Sequence, residues 1–243
     1  MPADALRGQP FTKMHGLEPA SDAGADFAMR VFNSDGSEVE HCGNGARCVA
    51  RWLRDTGLTT SDRVTLSTAG TTLTTRLHAN RRVSIAMGEP DFSPAAIPLE
   101  ADAAADSHDL VVAGEPHAVG AVSMGNPHAV LRYPDADAAP LQRLGPLIEH
   151  HGRFPSGANV GFMTVRDRGG VRLRVWERGA GETAACGTAA CAAVAVGRRC
   201  GLLDERVTVA LDGGELVIEW AGPDNPLWMT GPTATVFHGT IAP

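Results

Sequence analysis

The alternation of apolar and polar residues predicts a chain of many short strands and few helices. Strands are predicted where β-branched and aromatic residues recur between Gly, Pro and Asn turns. In the first half of the chain they are 11–17, 27–32, 64–66, 71–77 and 83–87. In the second half they are 118–124, 160–165, 171–176, 207–211, 216–220, 227–230 and 233–241.

Three segments predict helices. Val49, Trp52 and Leu53 mark the buried face of a helix that follows Cys42, and residues 139–151 form a moderately amphipathic one. The segment 188–197 is apolar on all sides. That pattern is typical of a helix enclosed by a closed or strongly curved sheet.

A duplicated cysteine motif organises the sequence. Cys42-Gly43 returns 144 residues later as Cys186-Gly187, and a glutamate precedes each cysteine by four positions, at Glu38 and Glu182. Both copies follow a glycine-containing turn and lead into a predicted helix. The duplication predicts two similar halves that face each other across one site.

The two halves differ in length. Met124 lies 62 residues before Cys186, whereas Met14 lies only 28 residues before Cys42, a deficit of 34. If the halves are duplicates, a few tens of residues are absent between Leu17 and Asp26. A segment of that size could hold a helix and two strands.

Composition limits the partners. The 243 residues carry a formal charge of −7 without a Lys/Arg cluster, which argues against nucleic acid and an anionic membrane surface and favours a small-molecule substrate. No signal peptide and no apolar run of roughly 18 residues is present, so we expect a soluble cytoplasmic protein. The single lysine, Lys13, lies in a predicted strand, which disfavours pyridoxal phosphate chemistry. We expect no cofactor.

A cysteine in the first turn of a helix is a candidate acid or base. Unpaired N–H groups and the positive end of the helix dipole should lower its pKa and favour the thiolate. The small residues after Cys42 and Cys186 leave those N–H groups open to an anionic ligand. Two such cysteines suit inversion of an α-carbon, because one removes a proton and the other supplies one from the opposite face.

Other roles for the cysteines remain open. Zinc is disfavoured, because Cys42 and Cys48 would not share a helix face, and we expect no metal. A Cys-His nucleophile through His41 or His128 would leave the second cysteine unexplained. Cys48, Cys191 and Cys200 are expected to be small core residues.

Polar residues near the cysteines are candidates for substrate recognition. Glu177 could bind an ammonium group and Arg178 a carboxylate, although a solvated ion pair is the simpler alternative. Asn33, Asn126 and Asn159 lie at strand ends or turns, where asparagine is common for conformational reasons. The sequence alone leaves their roles open.

Nine short motifs, spread in order over nearly the whole chain, carry a family resemblance. They are Phe11–Leu17, Phe32–Glu38, Cys42–Cys48, Met87–Pro90, Ser123–His128, Ala158–Phe162, Glu177–Thr183, Ala185–Gly187 and Met229–Pro232. In these motifs the chain resembles the diaminopimelate epimerases, cofactor-independent enzymes of bacterial lysine and peptidoglycan-precursor synthesis.

The resemblance implies an α/β (α+β) fold and a homodimer. It implies two similar domains, 1–117 with 232–243 returning to it and 118–231, each a curved, mostly antiparallel sheet around a central helix, with the active site between them. It implies that Cys42 and Cys186 interconvert LL- and meso-diaminopimelate, and that His128 and Glu177 affect catalysis. The implied substrate-binding residues are Asn33, Gly43, Asn44, Asn126, Asn159, Glu177, Arg178, Gly187 and Thr188.

The chain departs from the family pattern in two places. Ala189 stands where the family usually has glycine. After the segment that matches His15–Leu17, the family continues with Gly-Asn-Asp-Phe, a helix and strands, whereas here Leu17 is followed by Glu18-Pro19. We favour the interpretation that the protein has a further, mobile segment between Leu17 and Glu18. A true deletion is the alternative, and it would impair the enzyme by removing side chains from the pocket.

Three alternative functions stay open on sequence grounds. A proline-racemase-like or other amino-acid racemase would use two cysteines but would not need Glu177 and Arg178 for a distal amino-acid group. A phenazine-type isomerase of similar fold is disfavoured by Cys42 and Cys186. A redox or metal-binding thiol protein would bind no amino acid.

Overall fold

The computed structural model describes residues 13–20, 24–33, 36–39, 42–236 and 239. The predicted start of the first strand at Phe11, the turn residues 34–35 and His41 lie outside this part. The helices are α1 (Gly43–Asp55), α2 (Leu141–Glu149) and α3 (Gly187–Arg199). In the first half the strands are β1 (Lys13–Pro19), β2 (Phe27–Asn33), β3 (Glu38–Val39), β4 (Arg63–Ser67), β5 (Thr72–Leu77) and β6 (Arg82–Ala86). The later strands are β7 (His108–Val112), β8 (Glu115–Ser123), β9 (Pro127–Arg132), β10 (Asn159–Asp167), β11 (Gly170–Glu177), β12 (Gly181–Thr183), β13 (Arg206–Leu211), β14 (Gly214–Glu219) and β15 (Trp228–Pro232).

The chain forms two compact units. The first comprises residues 1–86 and 230–243, and the second comprises residues 87–229. Residues 87–117 group with the second unit, where β7 pairs with β8 and Ile97 and Leu110 enter its core. The domain limits implied by the resemblance, 1–117 with 232–243 and 118–231, stay a prediction.

In the first unit, α1 packs against β5 and β6. The strands follow the order β1-β2-β4-β5-β6, with β3 beside β2, and only the β2–β4 pair within this order is parallel. Ala46, Ala50 and Leu53 bury one side of the helix, and Val83 and Ile85 are buried on β6. Of the predicted buried face, Leu53 is confirmed, whereas Val49 is half-buried and Trp52 is exposed, so the prediction was wrong for Trp52.

The first hairpin is continuous through Leu17 and Glu18. These two residues are consecutive in β1 and pair with Met29 and Ala28 of β2. The preferred interpretation of a further segment at this point is therefore wrong, because an antiparallel hairpin in unbroken register joins the residues on either side. The short first half is a property of the chain itself.

In the second unit, two helices cover opposite faces of a sheet ordered β14-β13-β11-β10-β9-β8-β7. Val119 and Ala121 of β8 belong to the same core as Leu144 of α2. Gly120, between them, faces Val196 of α3, since a Cβ at Gly120 would lie 2.3 Å from Val196 Cγ1. Alternate residues of a strand point to opposite faces, so α2 and α3 lie on opposite sides.

The central helix α3 is enclosed. It contacts β8, β9, β10, β11 and β14, and every residue from Ala189 to Gly197 is buried. This confirms the prediction from its apolar sequence. The mixed α+β fold is confirmed as well, with mostly antiparallel pairing and parallel pairs at β9–β10 and β11–β13.

Some local predictions were wrong. Strands β3, β7, β9 and β12 were not anticipated, and the expected strand 233–241 is absent over residues 233–236. Cys191 is buried as expected, but Cys48 and Cys200 are exposed. In the described part of the chain, no helix is both long enough and apolar enough to cross a membrane.

Candidate active site

Each duplicated cysteine occupies the N-cap of its helix. Cys42 precedes α1 with φ −144° and ψ 103°, and Cys186 precedes α3 with φ −127° and ψ 115°. The Ala46 N–H donates to the Cys42 carbonyl at 2.8 Å, and the Ala190 N–H donates to the Cys186 carbonyl at 3.1 Å. The amides of the three residues after each cysteine therefore lie outside the helical ladder, where they can bind an anion.

Cys186 is buried beside an acidic group. Burial and the Glu177 carboxylate raise the pKa of Cys186 to about 12, while the Thr188 hydroxyl and the Ala189 N–H act in the opposite direction. The Thr188 oxygen lies 3.4 Å from the sulfur. The expected fall in pKa is therefore wrong for Cys186, because desolvation outweighs the helix N-terminus. This side chain is a thiol at neutral pH.

Around Cys42, the first turn of α1 is held by its own neighbours. Cys42, Gly43 and Asn44 are half-buried. Arg47 donates to the Asn44 side-chain oxygen at 2.8 Å, an interaction that sequence reasoning missed. His15 of β1 packs on Gly45, where a Cβ would lie 1.8 Å from His15 Nε2. A side chain at position 45 would therefore force the His15 ring to move.

Asn33 is the last residue of β2, and its side chain lies outside the described part of the structure. Its predicted contact with substrate stays a prediction.

His128 is a buried neutral imidazole. Burial and the nearby Arg178 guanidinium lower the pKa of His128 to about 3. Its Nε2 donates to the Asn126 side-chain oxygen at 2.9 Å, which fixes the tautomer because that oxygen can only accept. The imidazole therefore orients Asn126, which is half-buried in the turn between β8 and β9.

Asn159 joins two strand ends. Its amide nitrogen donates to the Pro127 carbonyl at 3.0 Å, and its oxygen accepts the Arg178 N–H at 3.0 Å. The side chain is buried. These two bonds position the start of β9 and the end of β11, a structural role that the sequence alone could not separate from substrate binding.

Glu177 is the last residue of β11 and Arg178 follows it, and the two side chains differ in exposure. Glu177 is half-buried and accepts a hydrogen bond from the Thr183 hydroxyl, a contact that sequence reasoning missed. Arg178 is exposed, and its guanidinium donates to the Ser156 carbonyl at 2.8 Å. No carboxylate pairs with Arg178 in the described residues, so the solvated ion pair considered above is not formed.

The second unit thus brings together most of the predicted site residues. They are Asn126, His128, Asn159, Glu177, Arg178, Cys186, Gly187 and Thr188, with Gly187 and Thr188 half-buried in the first turn of α3. Cys42, Gly43 and Asn44 lie together in the first unit.

Comparison with known proteins agrees with this arrangement. The family model for diaminopimelate epimerase matches residues 11–93 and 120–236. The diaminopimelate epimerase of Thioalkalivibrio sulfidiphilus is 54% identical over 92% of this chain and 81% of its own length. That of Chromobacterium violaceum is 52% identical over 95% of this chain and 84% of its own length. The chain belongs to the diaminopimelate epimerase family.

Solved structures of other proteins share the fold of this diaminopimelate epimerase family member. A hydroxyproline epimerase from Agrobacterium vitis superposes with a TM-score of 0.67 at 17% identity, over 93% of this chain and 74% of its own. A phenazine biosynthesis protein from Bacillus anthracis gives a TM-score of 0.62 at 17% identity, over 90% of this chain and 80% of its own. At that identity the likeness shows the fold alone. The much higher identity to diaminopimelate epimerases supports an epimerase over the racemase, isomerase and thiol-protein alternatives.

Proposed function

We propose that this epimerase interconverts LL- and meso-2,6-diaminopimelate with Cys42 and Cys186 as its two acid/base groups, and that it does so without a cofactor. The observation that carries the proposal is the shared N-cap geometry. Both sulfurs stand at the start of a helix whose first amides can receive an anion. A substrate α-carboxylate on those amides would stabilise the carbanion formed when the α-proton leaves.

Cys186 starts the reaction as a thiol. With a pKa of about 12, Cys186 is the proton donor. The base in that turnover is then Cys42. In the reverse direction Cys186 is the base and Cys42 the proton donor, and the Glu177 carboxylate beside the Cys186 sulfur affects catalysis through the pKa of that thiol.

The polar residues divide between the two ends of the substrate. Gly43, Asn44, Gly187 and Thr188 contribute first-turn groups for the reacting α-carboxylate. Arg178, exposed and charged, binds the distal carboxylate, and Glu177 binds an ammonium group of the substrate. Asn33 and Asn126 form hydrogen bonds with the substrate through their side-chain amides. His128 acts by orienting Asn126. Asn159 contributes its remaining amide hydrogen.

The assembly and compartment are part of the same proposal. We infer a homodimer that works in the cytoplasm, where thiols stay reduced. Light scattering on a sizing column would test the dimer, and a mass of one chain would contradict it.

The function is tested by α-proton exchange of LL-diaminopimelate in deuterated buffer with reductant and no added cofactor. We expect deuterium at the α-carbon together with the meso isomer. Absence of both at high enzyme concentration, under conditions where the Thioalkalivibrio sulfidiphilus relative is active, would refute the proposal.

A further inference from the structure

A buried carboxylate lies next to the candidate site without belonging to it. Glu149, the last residue of α2, is 4% exposed. It accepts hydrogen bonds from the Trp176 indole N–H at 2.7 Å and from the Gly179 backbone N–H at 2.8 Å. Carboxylates are rarely buried unless such partners compensate for the lost hydration.

Those two donors flank Glu177 and Arg178. Trp176 immediately precedes the pair and Gly179 immediately follows it, so one side chain fixes both ends of the turn. The Trp176 ring also packs on Gly145 of α2, where a Cβ would lie 2.7 Å from the ring. Helix α2 therefore contacts the turn through a ring and a carboxylate together.

A third contact holds the turn from another strand. The Asn159 oxygen accepts the Arg178 N–H at 3.0 Å. With Glu149 on one side and Asn159 on the other, the backbone of Glu177 and Arg178 has little freedom. The Glu177 carboxylate is thereby kept beside the Cys186 sulfur and the Thr183 hydroxyl.

We propose that Glu149 is a positioning residue, which holds the Trp176–Gly179 turn so that Glu177 stays against Cys186 and Arg178 stays at the substrate end. The proposal rests on the roles proposed above for those three residues. Glu149 is not among the groups that face the Cys186 sulfur.

Glu149→Gln tests the proposal with almost no change of shape. The amide can accept one hydrogen bond, but its NH2 group then faces the other N–H donor, so one of the two bonds is lost. We expect kcat/KM for diaminopimelate to fall by about tenfold or more, since misplaced catalytic groups are costly.

The decisive readout is the pH profile of Cys186 alkylation by iodoacetamide, resolved by mass spectrometry. The groups that face this sulfur are Glu177, Thr188 and the Ala189 amide. When Glu177 withdraws, its contribution to the raised pKa is lost and the midpoint should fall below about 12, while burial keeps it above the ordinary value of 9. A fall of about one pH unit would make the reaction at pH 9 roughly ten times faster. Loosening of the fold around Cys186 would also lower the midpoint, because burial is the first cause of its raised pKa, so a variant that is destabilised elsewhere in the same unit is needed to separate the two effects.

Thr164→Val is the matched control. The Thr164 hydroxyl also joins two backbone groups in the second unit, accepting from Ala136 at 2.7 Å and donating to Tyr133 at 3.0 Å. This variant should lose stability yet keep both kcat/KM and the Cys186 midpoint. Trp176→Phe, which removes one donor and keeps an aromatic ring over Gly145, should act like Glu149→Gln and serves if that variant does not fold.

An unchanged Cys186 midpoint in Glu149→Gln and Trp176→Phe, or an equal shift in Thr164→Val, would overturn the proposal. The alkylation profile needs no substrate, so it reports on Glu149 even if the unmodified protein fails to epimerise diaminopimelate. That failure would instead count against the proposed function.

Discussion

Helices α1 and α3 begin alike and are packed differently. Each has 13 residues and an N-capping cysteine in extended conformation. The sheet encloses α3 on every side, whereas α1 leaves Cys48 exposed and Trp52 43% exposed. The cap geometry is therefore set locally by the Cys-Gly turn. Enclosure of the helix depends on distant strands, and the shorter first half has fewer of them.

The strongest test of the comparison is to remove each sulfur in turn. Cys42→Ala and Cys186→Ala should each lower kcat by about 10²–10⁴-fold, because each deletes one proton-transfer group. Exchange and epimerisation would be followed from both the LL and the meso isomer. Cys200→Ala, at the far end of α3, is the control and should retain full activity. Loss of activity in only one of the two variants would show that similar caps do not mean paired roles.

The next test inserts, after Leu17, the segment that the family resemblance implies at this point. The family resemblance implies that relatives carry a helix and strands after the segment matching His15–Leu17. Inserting that segment of the Thioalkalivibrio sulfidiphilus relative after Leu17 should cover Trp52 and raise kcat/KM, by up to about 10²-fold, because the substrate is then held more firmly. Acrylamide quenching of tryptophan fluorescence measures the covering. A Gly/Ser segment of equal length is the control, and equal quenching with both inserts would contradict the expectation.

A smaller difference is expected in how much a buried valine of each helix contributes to stability. Val194 of α3 is fully buried and Val49 of α1 only half-buried. Val194→Ala should lower the free energy of unfolding by about 2 kcal/mol through lost burial and a residual cavity. Val49→Ala should cost less than about 1 kcal/mol by the same reasoning. The gain in helix propensity is the same for both, so it cancels in the comparison. Urea titration provides the two values, and equal losses would mean that α1 is enclosed in solution.

Much of the fold could be predicted because its signals are local. The apolar run of α3, the period of α1 and the alternation in β4, β5 and β6 each lie within a dozen residues. Strand β9 was not predicted, because it begins with Pro127 and every residue through Leu131 is buried. Its sequence therefore shows no alternation of apolar and polar residues. The unbroken β1–β2 hairpin was not predicted, because the difference in length between the two halves was interpreted as a further segment after Leu17.

The positions of the site residues were easier to predict from the sequence than their pKa values and hydrogen bonds. The motif duplication identified Cys42 and Cys186, but the pKa of Cys186 depends on burial by strands that are remote in sequence. The hydrogen bonds of Asn159 and Glu149 could not be predicted for the same reason, because their partners are also remote in sequence. A glutamate at the end of an amphipathic helix looks solvent-facing in sequence, and only packing shows its carboxylate bonded to Trp176 and Gly179.

The short hairpin leaves β1 at the end of its sheet path, with β2 as its partner in the described residues. An open edge invites pairing with another chain and, from there, aggregation. Here Pro19 lacks the N–H that such pairing needs, and the exposed Glu18 places a charge beside it. The edge strand β1 thus carries two residues that disfavour pairing with a strand of another chain.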